Sequence, residues 1–311
     1  MRTEQLQGIK VSLLCLLSGY SRQAYYKQCH HKEQSILQQE LIIREVISYR
    51  ALQPKLGGRK LLLLLAPFMT RHRIGMGRDA FFDLLGYNGL LNAKRRRSKP
   101  RTTFSDHWMK KYPDLVAGLT PVMANGVWVS DITYIGLGEG HSYLSLVTDA
   151  YSRKIVGYYL SDRLSATGTV KALQMAIDGC SDTTGLIHHS DRGSQYCCNA
   201  YVELLQECGI GISMTQSGDP RDNAIAERVN GILKTELLED VFADITAAEK
   251  AVSQAVKTYN YLRPHTSVNM LTPAIAHTRT GRLERRWKNY YVEQIKKEGN
   301  TDDSYPQKQV A

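Results

Sequence analysis

The alternation of apolar and polar residues changes its period along the chain. From Val127 to Ile135 the period is two, which predicts a strand with Asp131 at its centre. The same pattern predicts further strands at 142–148, 154–160, 185–189 and 210–215, and helices at 167–177, 199–208, 222–239 and 246–262. Three antiparallel strands followed by alternating helices and strands indicate an α/β domain with a mixed sheet.

The N-terminal third has a helical pattern. The pattern that begins at residue 8 predicts a helix, a turn and a second helix over 22–28 that is capped by Ser21. A related pattern recurs at 79–97. Short helix pairs also occur in proteins that never bind DNA. The basic charge of this part of the chain favours DNA binding, with Arg22 among the contacting residues.

Net charge is unevenly distributed. The chain carries +10 in total, which divides into +13 for residues 1–110, −8 for 111–245 and +5 for 246–311. Clustered lysines and arginines attract nucleic-acid phosphates. We predict a helical DNA-binding region at 1–92, a basic linker at 93–120, an α/β core domain at 121–280 and a charged, partly disordered tail at 281–311.

Membrane and disulfide-stapled proteins do not fit this sequence. The longest apolar run, residues 61–69, is far shorter than the roughly 20 residues of a membrane-spanning helix, and the N-terminus lacks a signal-peptide pattern. The six cysteines show no regular spacing, which argues against a disulfide framework or a structural zinc site. We therefore expect a cytoplasmic protein.

Three carboxylates are the candidate chemical groups. Asp131 lies within a strand, Asp191 follows one, and Glu227 lies on a predicted helix that places Asn223, Asn230 and Lys234 on the same face. Taken singly, they could be a buried salt bridge, a turn residue and part of a solvent-exposed stripe. If they converge, they need counter-charge, which two Mg²⁺ or Mn²⁺ ions would supply for phosphoryl transfer.

Characteristic stretches of sequence surround these carboxylates. They are NGVWVSDITYI at Asp131, HHSDRGSQY at Asp191 and DNAIAERVNGILKTE at Glu227. They resemble the integrase catalytic core of insertion-sequence transposases of the second-reading-frame (OrfB) type, in which a lysine also follows the glutamate by seven residues, as Lys234 does here. TDAYSRKIVG, YNYLRPHTSVNMLTP, LLSGYSRQAYYK and LGGRKL extend the resemblance over nearly the whole chain.

The resemblance implies an RNase H-like fold with a mixed sheet flanked by helices. It implies a DDE transposase in which Asp131, Asp191 and Glu227 hold two metal ions, cut the ends of a mobile element and join the freed 3′-hydroxyl to target DNA. It also implies a homo-oligomer on DNA in a bacterial cytoplasm, associated with the nucleoid, and a partner from an upstream frame (OrfA), separate or fused. The alternatives are a structure-specific nuclease on the same fold and a non-catalytic DNA-binding regulator of transposition.

Lys234, Asn223 and Asn230 are predicted DNA contacts on the helix that carries Glu227. A residue seven positions beyond Glu227 returns to nearly the same helix face, about 10 Å further along the axis. Lys234 can therefore reach phosphates next to the metal site. The alternatives for Lys234 are an ordinary exposed lysine and an exposed salt bridge, which contributes little to stability.

The basic linker yields a testable prediction. Five cationic residues lie between Lys94 and Lys99, where a purely solvated tether would need none. Neutralising Arg95, Arg96 and Arg97 together should flatten the plot of log affinity against log salt by up to about 0.9 per lost phosphate contact. An unchanged slope would show that the segment is a tether without DNA contacts.

Overall fold

The computed structural model describes residues 10–92, 107–216 and 223–284. The chain divides into two compact units, Met1–Arg97 and Ser98–Ala311. No helix among the described residues is long and apolar enough to cross a membrane. All six cysteines are free thiols, which confirms the absence of a disulfide framework.

The first unit contains four helices: α1 (Val11–Leu17), α2 (Arg22–Leu52), α3 (Gly58–Arg71) and α4 (Arg78–Tyr87). The hydroxyl of Ser21 accepts a hydrogen bond from the Ala24 amide at 3.1 Å, so the predicted N-cap of α2 is confirmed. Helix α2 continues well beyond the predicted end at residue 28. Its C-terminal half packs on α3 and α4, with a core that contains Ile42, Val46, Leu61, Leu65, Phe81 and Leu85.

The second predicted helix pair, at 79–97, differs from the structure. Helix α4 ends at Tyr87 and residues 88–92 are not helical, while 93–97, which include Arg95, Arg96 and Arg97, lie outside the described residues. Instead, α4 pairs with α3, the helix that contains the apolar run at 61–69. Within that run, Leu61, Leu65 and Met69 recur every four residues and are buried.

The second unit is built on a six-stranded sheet. Its strands are β1 (Val127–Leu137), β2 (His141–Asp149), β3 (Ile155–Ser161), β4 (Ile187–Ser190), β5 (Gly211–Met214) and β6 (Val241–Phe242). The order is β3-β2-β1-β4-β5, and β6 pairs with the far end of β1. β1, β2 and β3 are antiparallel, whereas β4 and β6 run parallel to β1 and β5 parallel to β4. This mixed sheet confirms the predicted fold class.

Helices cover both faces of the sheet. They are α5 (Ala166–Asp178), α6 (Ser194–Cys197), α7 (Asn199–Glu207), α8 (Ala224–Ile232), α9 (Ile245–Tyr261) and α10 (Pro273–His277). One core joins α5 and α7 to the sheet face that carries Trp128 and Val147. The other joins α8 and α9 to the face that carries Ile135 and Leu144. Since successive residues of a strand point to opposite faces, Asp131 shares the α8 face with Ile135.

The sequence pattern predicted a regular helix to residue 239, but α8 ends at Ile232. After Ile232 the backbone forms a π-helical turn, Leu233–Leu237, which contains Lys234 and Glu236. The guanidinium of buried Arg263, just beyond α9, donates hydrogen bonds to both carboxylate oxygens of Glu236 at 2.9 Å. This ion pair joins the π turn to the end of α9.

Glu236→Gln tests the contribution of this ion pair. Removal of the carboxylate charge leaves the Arg263 guanidinium buried without its counter-charge, which typically costs about 3–5 kcal/mol. We expect chemical denaturation to show a loss of this size. The control is Asp162→Asn, which breaks an exposed pair with Arg163 and should cost less than about 1 kcal/mol. Equal effects of the two substitutions would contradict the prediction.

Candidate active site

The sheet register places Asp131 beside Asp191. In the parallel pair β1–β4, Val129 is opposite His189, and each aspartate lies two residues further along its own strand direction. Neighbouring strands are about 4.8 Å apart, so the two carboxylates are close enough to repel each other strongly. The Oδ1 atom of Asp191 accepts a hydrogen bond from the Gly193 amide at 3.0 Å, which orients the carboxylate.

Two buried asparagines attach α8 to β1. The side-chain amide of Asn230 donates to Asp131 Oδ2 at 2.7 Å, and that of Asn223 donates to the Ser130 carbonyl oxygen at 2.8 Å. Residues seven apart recur on one helix face after two turns, and Glu227 lies between them on that face. These hydrogen bonds therefore bring Glu227 to the two aspartates.

The electrostatics of Asp131 show that both other carboxylates are near enough to influence it. Burial and the charge of Asp191, with a smaller effect from Glu227, raise the pKa of Asp131 to about 7. Two hydrogen bonds lower the pKa of Asp131 but do not offset this rise. They come from the Asn230 side chain and from the Ile132 amide, the latter at 2.9 Å. The ionised form of Asp131 therefore needs a nearby positive charge.

The donor atoms at this site suit a hard divalent cation. The Oδ1 atom of Asn230 is buried and accepts no hydrogen bond from the described residues, so it adds an oxygen next to the carboxylates. No three His, Cys, Asp or Glu side chains of the described chain are close enough to bind one ion together. Mg²⁺ commonly takes only one or two carboxylates and completes its shell with water and substrate phosphates. The residues present fit that type of binding.

A neutral polar network supports the site from the other face of β1. The Ser130 and Tyr201 hydroxyls lie 2.7 and 2.8 Å from His188 Nε2. Burial is the main reason that the pKa of His188 falls to about 3, so this histidine is uncharged at neutral pH. The network links β1, β4 and α7. It thereby fixes the pairing that sets Asp131 beside Asp191.

The predicted site residues do not all lie together. The structure brings together the three acids and the two asparagines, which are Asp131, Asp191, Glu227, Asn223 and Asn230. Lys234 follows them along the chain, in the π turn. Arg22 is an exposed residue at the start of α2, in the first unit. Asp149, the last residue of β2, is a further buried acid, but its side chain accepts from the backbone amides of Asn125 and Ser152 and so stabilises the turn that follows β2.

Sequence reasoning missed the network of Ser130, His188 and Tyr201. A signal existed in part, because Ser130 and His188 are polar residues within buried strands. Tyr201 carried no such signal, since its pattern is that of an ordinary core residue on an amphipathic helix. Its partnership with the strands depends on how α7 packs on the sheet.

Several known proteins are similar to this chain in sequence. Residues 121–220 and 208–273 match two family models, both described as integrase core domain. An IS600 protein of Shigella sonnei described as an uncharacterized 31 kDa protein is 33% identical over 266 residues, which are 84% of this chain and 96% of that protein. A protein of Mycobacterium tuberculosis provisionally named a transposase for IS986/IS6110 is 34% identical over 215 residues, 67% of this chain and 76% of that one. The IS904 transposase of Lactococcus lactis is 35% identical over 164 residues, 52% and 65% of the two chains.

The mixed sheet and these matches define a polynucleotidyl transferase with an integrase core domain, a metal-dependent class that acts on DNA. The chain belongs to the insertion-sequence transposases with an integrase core domain. It is a DDE transposase that functions in DNA integration and transposition. The resemblance stated from the sequence is confirmed, and the alternative functions are not favoured.

Asp131→Asn tests the electrostatic description of the site. The pKa of Asp131 is raised only in the folded state. Between about pH 4 and pH 7, Asp131 therefore stays protonated in the metal-free folded protein but loses its proton in the unfolded chain. Because the folded protein binds more protons in this range, its stability falls as the pH rises. Above about pH 7, the metal-free variant should therefore melt at a higher temperature than wild type. The difference should disappear near pH 4.

Added Mg²⁺ provides the second comparison. It should raise the melting temperature of the wild type above about pH 7 and that of Asp131→Asn much less, because a ligand that binds only the folded state stabilises it. Asp178→Asn, at an exposed helix end, is the matched control and should behave like wild type. Identical melting curves for wild type and Asp131→Asn at high pH would contradict the description.

Proposed function

We propose that Asp131, Asp191 and Glu227 are the catalytic residues and that they share two divalent cations, Mg²⁺ or Mn²⁺. The observation that carries this proposal is the β1–β4 register that sets Asp131 beside Asp191, together with the Asn230 hydrogen bond that brings the helix of Glu227 to Asp131. When bound, two such ions activate an attacking oxygen and stabilise a leaving oxygen in an in-line phosphoryl transfer. No covalent protein nucleophile is needed for this chemistry.

The protein contributes a rigid arrangement of oxygen donors. Asp131 is held by Asn230 and the Ile132 amide, and Asp191 by the Gly193 amide, so little reorganisation is needed during the reaction. The reaction has two stages. Water first cleaves the phosphodiester at an element end and leaves a 3′-hydroxyl. That hydroxyl then attacks a target phosphodiester, which joins the strands and releases a target 3′-hydroxyl.

Lys234 is proposed to bind a phosphate close to the reacting one. It follows Glu227 by two turns, and the π turn that contains it is held by the Glu236–Arg263 ion pair. A π turn within a helix frequently marks a functional position. DNA contact by Asn223 and Asn230 stays a prediction, and their hydrogen bonds to β1 support a positioning role for both residues.

The proposed substrates are the terminal repeats of the element and the target duplex. Both ends of an element must be held together, which favours at least a dimer on DNA, and an upstream-frame partner stays part of the proposal. Arg22 and the cluster of Arg95, Arg96 and Arg97 would contact the DNA backbone. We place the protein in the bacterial cytoplasm with the nucleoid, and retain the predicted domain bounds of 1–92, 93–120, 121–280 and 281–311.

Asp191→Asn is the decisive variant for this function. It should abolish cleavage of end-containing duplexes and strand joining with Mg²⁺, while DNA binding stays largely intact, because the carboxylate holds metal rather than phosphate. Asp178→Asn is again the control and should retain both activities. Substantial Mg²⁺-dependent turnover by Asp191→Asn would overturn the assignment. Wild-type cleavage without any joining would instead support the structure-specific nuclease.

A further inference from the structure

Residues 107–119, here called the edge segment, lie along the outer side of β5. The Met214 amide donates to the Pro113 carbonyl oxygen at 3.2 Å, and the Leu115 amide donates to the Ser213 hydroxyl at 2.8 Å. The segment therefore covers one end of the sheet order and is fixed to the strand that neighbours β4.

The start of the edge segment is attached to the residue after Asp191. His107 Nε2 lies 2.8 Å from the Arg192 carbonyl oxygen. The Arg192 guanidinium donates to Gln216 Oε1 at 2.9 Å, and the Gln216 amide donates to the Tyr112 carbonyl oxygen at 3.4 Å. These contacts hold the surface of the edge segment next to the candidate active site.

The edge segment carries two lysines shortly after His107, the residue attached to Arg192. Lys110 and Lys111 are exposed, and the Lys110 ammonium lies 5.0 Å from the centre of the Tyr112 ring. Burial and the charge of Asp191 raise the pKa of the Cys197 thiol, whereas Lys111 and Arg192 lower it. The Cys197 thiol therefore lies within electrostatic range of Asp191, Lys111 and Arg192. Lys110, Lys111 and Arg192 supply positive charge where the basic part of the chain meets the acidic part, residues 111–245.

Trp108 is the most unusual residue of this surface. Its side chain is 94% exposed, whereas Trp128, the other tryptophan of the described residues, is fully buried. A tryptophan in water leaves a large apolar area uncovered and is a typical binding residue. An exposed ring followed closely by two lysines matches the way in which proteins bind single-stranded nucleic acid, with bases stacked on aromatics and phosphates bound by lysine or arginine.

We propose that Trp108, Lys110, Lys111 and Arg192 bind a DNA strand that has separated from its complement beside the active site. The proposal rests on the proposed function and deepens it. Inside a duplex both faces of each base are already stacked, so a ring gains full access to a base once that base has left the duplex, and this surface therefore favours frayed or melted DNA. Bound there, the unpaired strand would hold the adjoining phosphodiester near Asp191.

Trp108→Ala in the full chain tests the stacking contact. The probes are a mixed-sequence DNA duplex and a version whose last few base pairs at one end are mismatched, with binding measured by fluorescence anisotropy without divalent cations. The variant should bind the mismatched-end duplex about fivefold or more weakly than wild type, the loss expected for one base stack. Binding of the fully paired duplex should change little.

Tyr261→Ala is the matched control because that ring is also exposed, at 61%, and lies at the end of α9, away from the residues assigned to DNA binding. It should leave the preference for the mismatched end unchanged. Melting temperatures of both variants should equal that of wild type, as both rings lie in solvent. If Trp108→Ala keeps the full preference for the mismatched end, the stacking proposal is overturned.

The lysines are tested by salt dependence. The double variant that combines Lys110→Ala and Lys111→Ala should have a flatter plot of log affinity against log salt for single-stranded DNA. The slope should fall in magnitude by about 0.7 per lost phosphate contact. Lys250→Ala with Lys257→Ala removes the same charge from exposed positions of α9 and should have a smaller effect. Equal slopes for the two double variants would overturn the phosphate contacts. These binding measurements are independent of catalysis, so a wild type without cleavage would reject the proposed function but not this surface.

Discussion

Repulsion among three carboxylates is the constraint on which the second unit depends. Asp131 is partly buried beside Asp191 and Glu227, and each neighbour makes its ionised form less favourable. The fold must supply enough packing and hydrogen bonding to hold these charges together before any cation binds. Enzymes commonly give up stability in this way, because the arrangement that strains the free protein is the one that the reaction requires.

Strand β1 meets this constraint by using its two faces differently. One face presents Asp131 to α8, while the other places Ser130 in a network with His188 and Tyr201. A slip of one residue would turn every side chain of β1 to the opposite face and remove Asp131 from the site. The buried network opposes such a slip, since a shifted register would leave its polar groups without partners. An uncharged His188 suits this role because it adds no further electrostatic cost.

The sequence predicted those features that have a local pattern. Period-two alternation gave β1, β2 and β3 nearly to their ends, and the spacing and surroundings of the three acids identified the candidate site. Helix α3 was missed because its run of leucines hides the period of four that is evident among the buried residues. The pairing of Arg263 with Glu236 across 27 residues, and the attachment of His107 to Arg192 across 85, depend on tertiary packing that no local pattern encodes.

The distribution of charge also determines how DNA can reach such a site. Residues 111–245 carry a net charge of −8, so this part of the chain repels phosphates as a whole. Long-range attraction must therefore come from the basic residues on both sides of this part, mainly those at the N-terminus, whereas contact at the acids requires a local reversal of sign. Divalent cations at the three carboxylates would provide that reversal, and the lysines of the edge segment extend it outwards. DNA binding at the reacting phosphate and metal binding are consequently coupled, because each removes part of the repulsion that opposes the other.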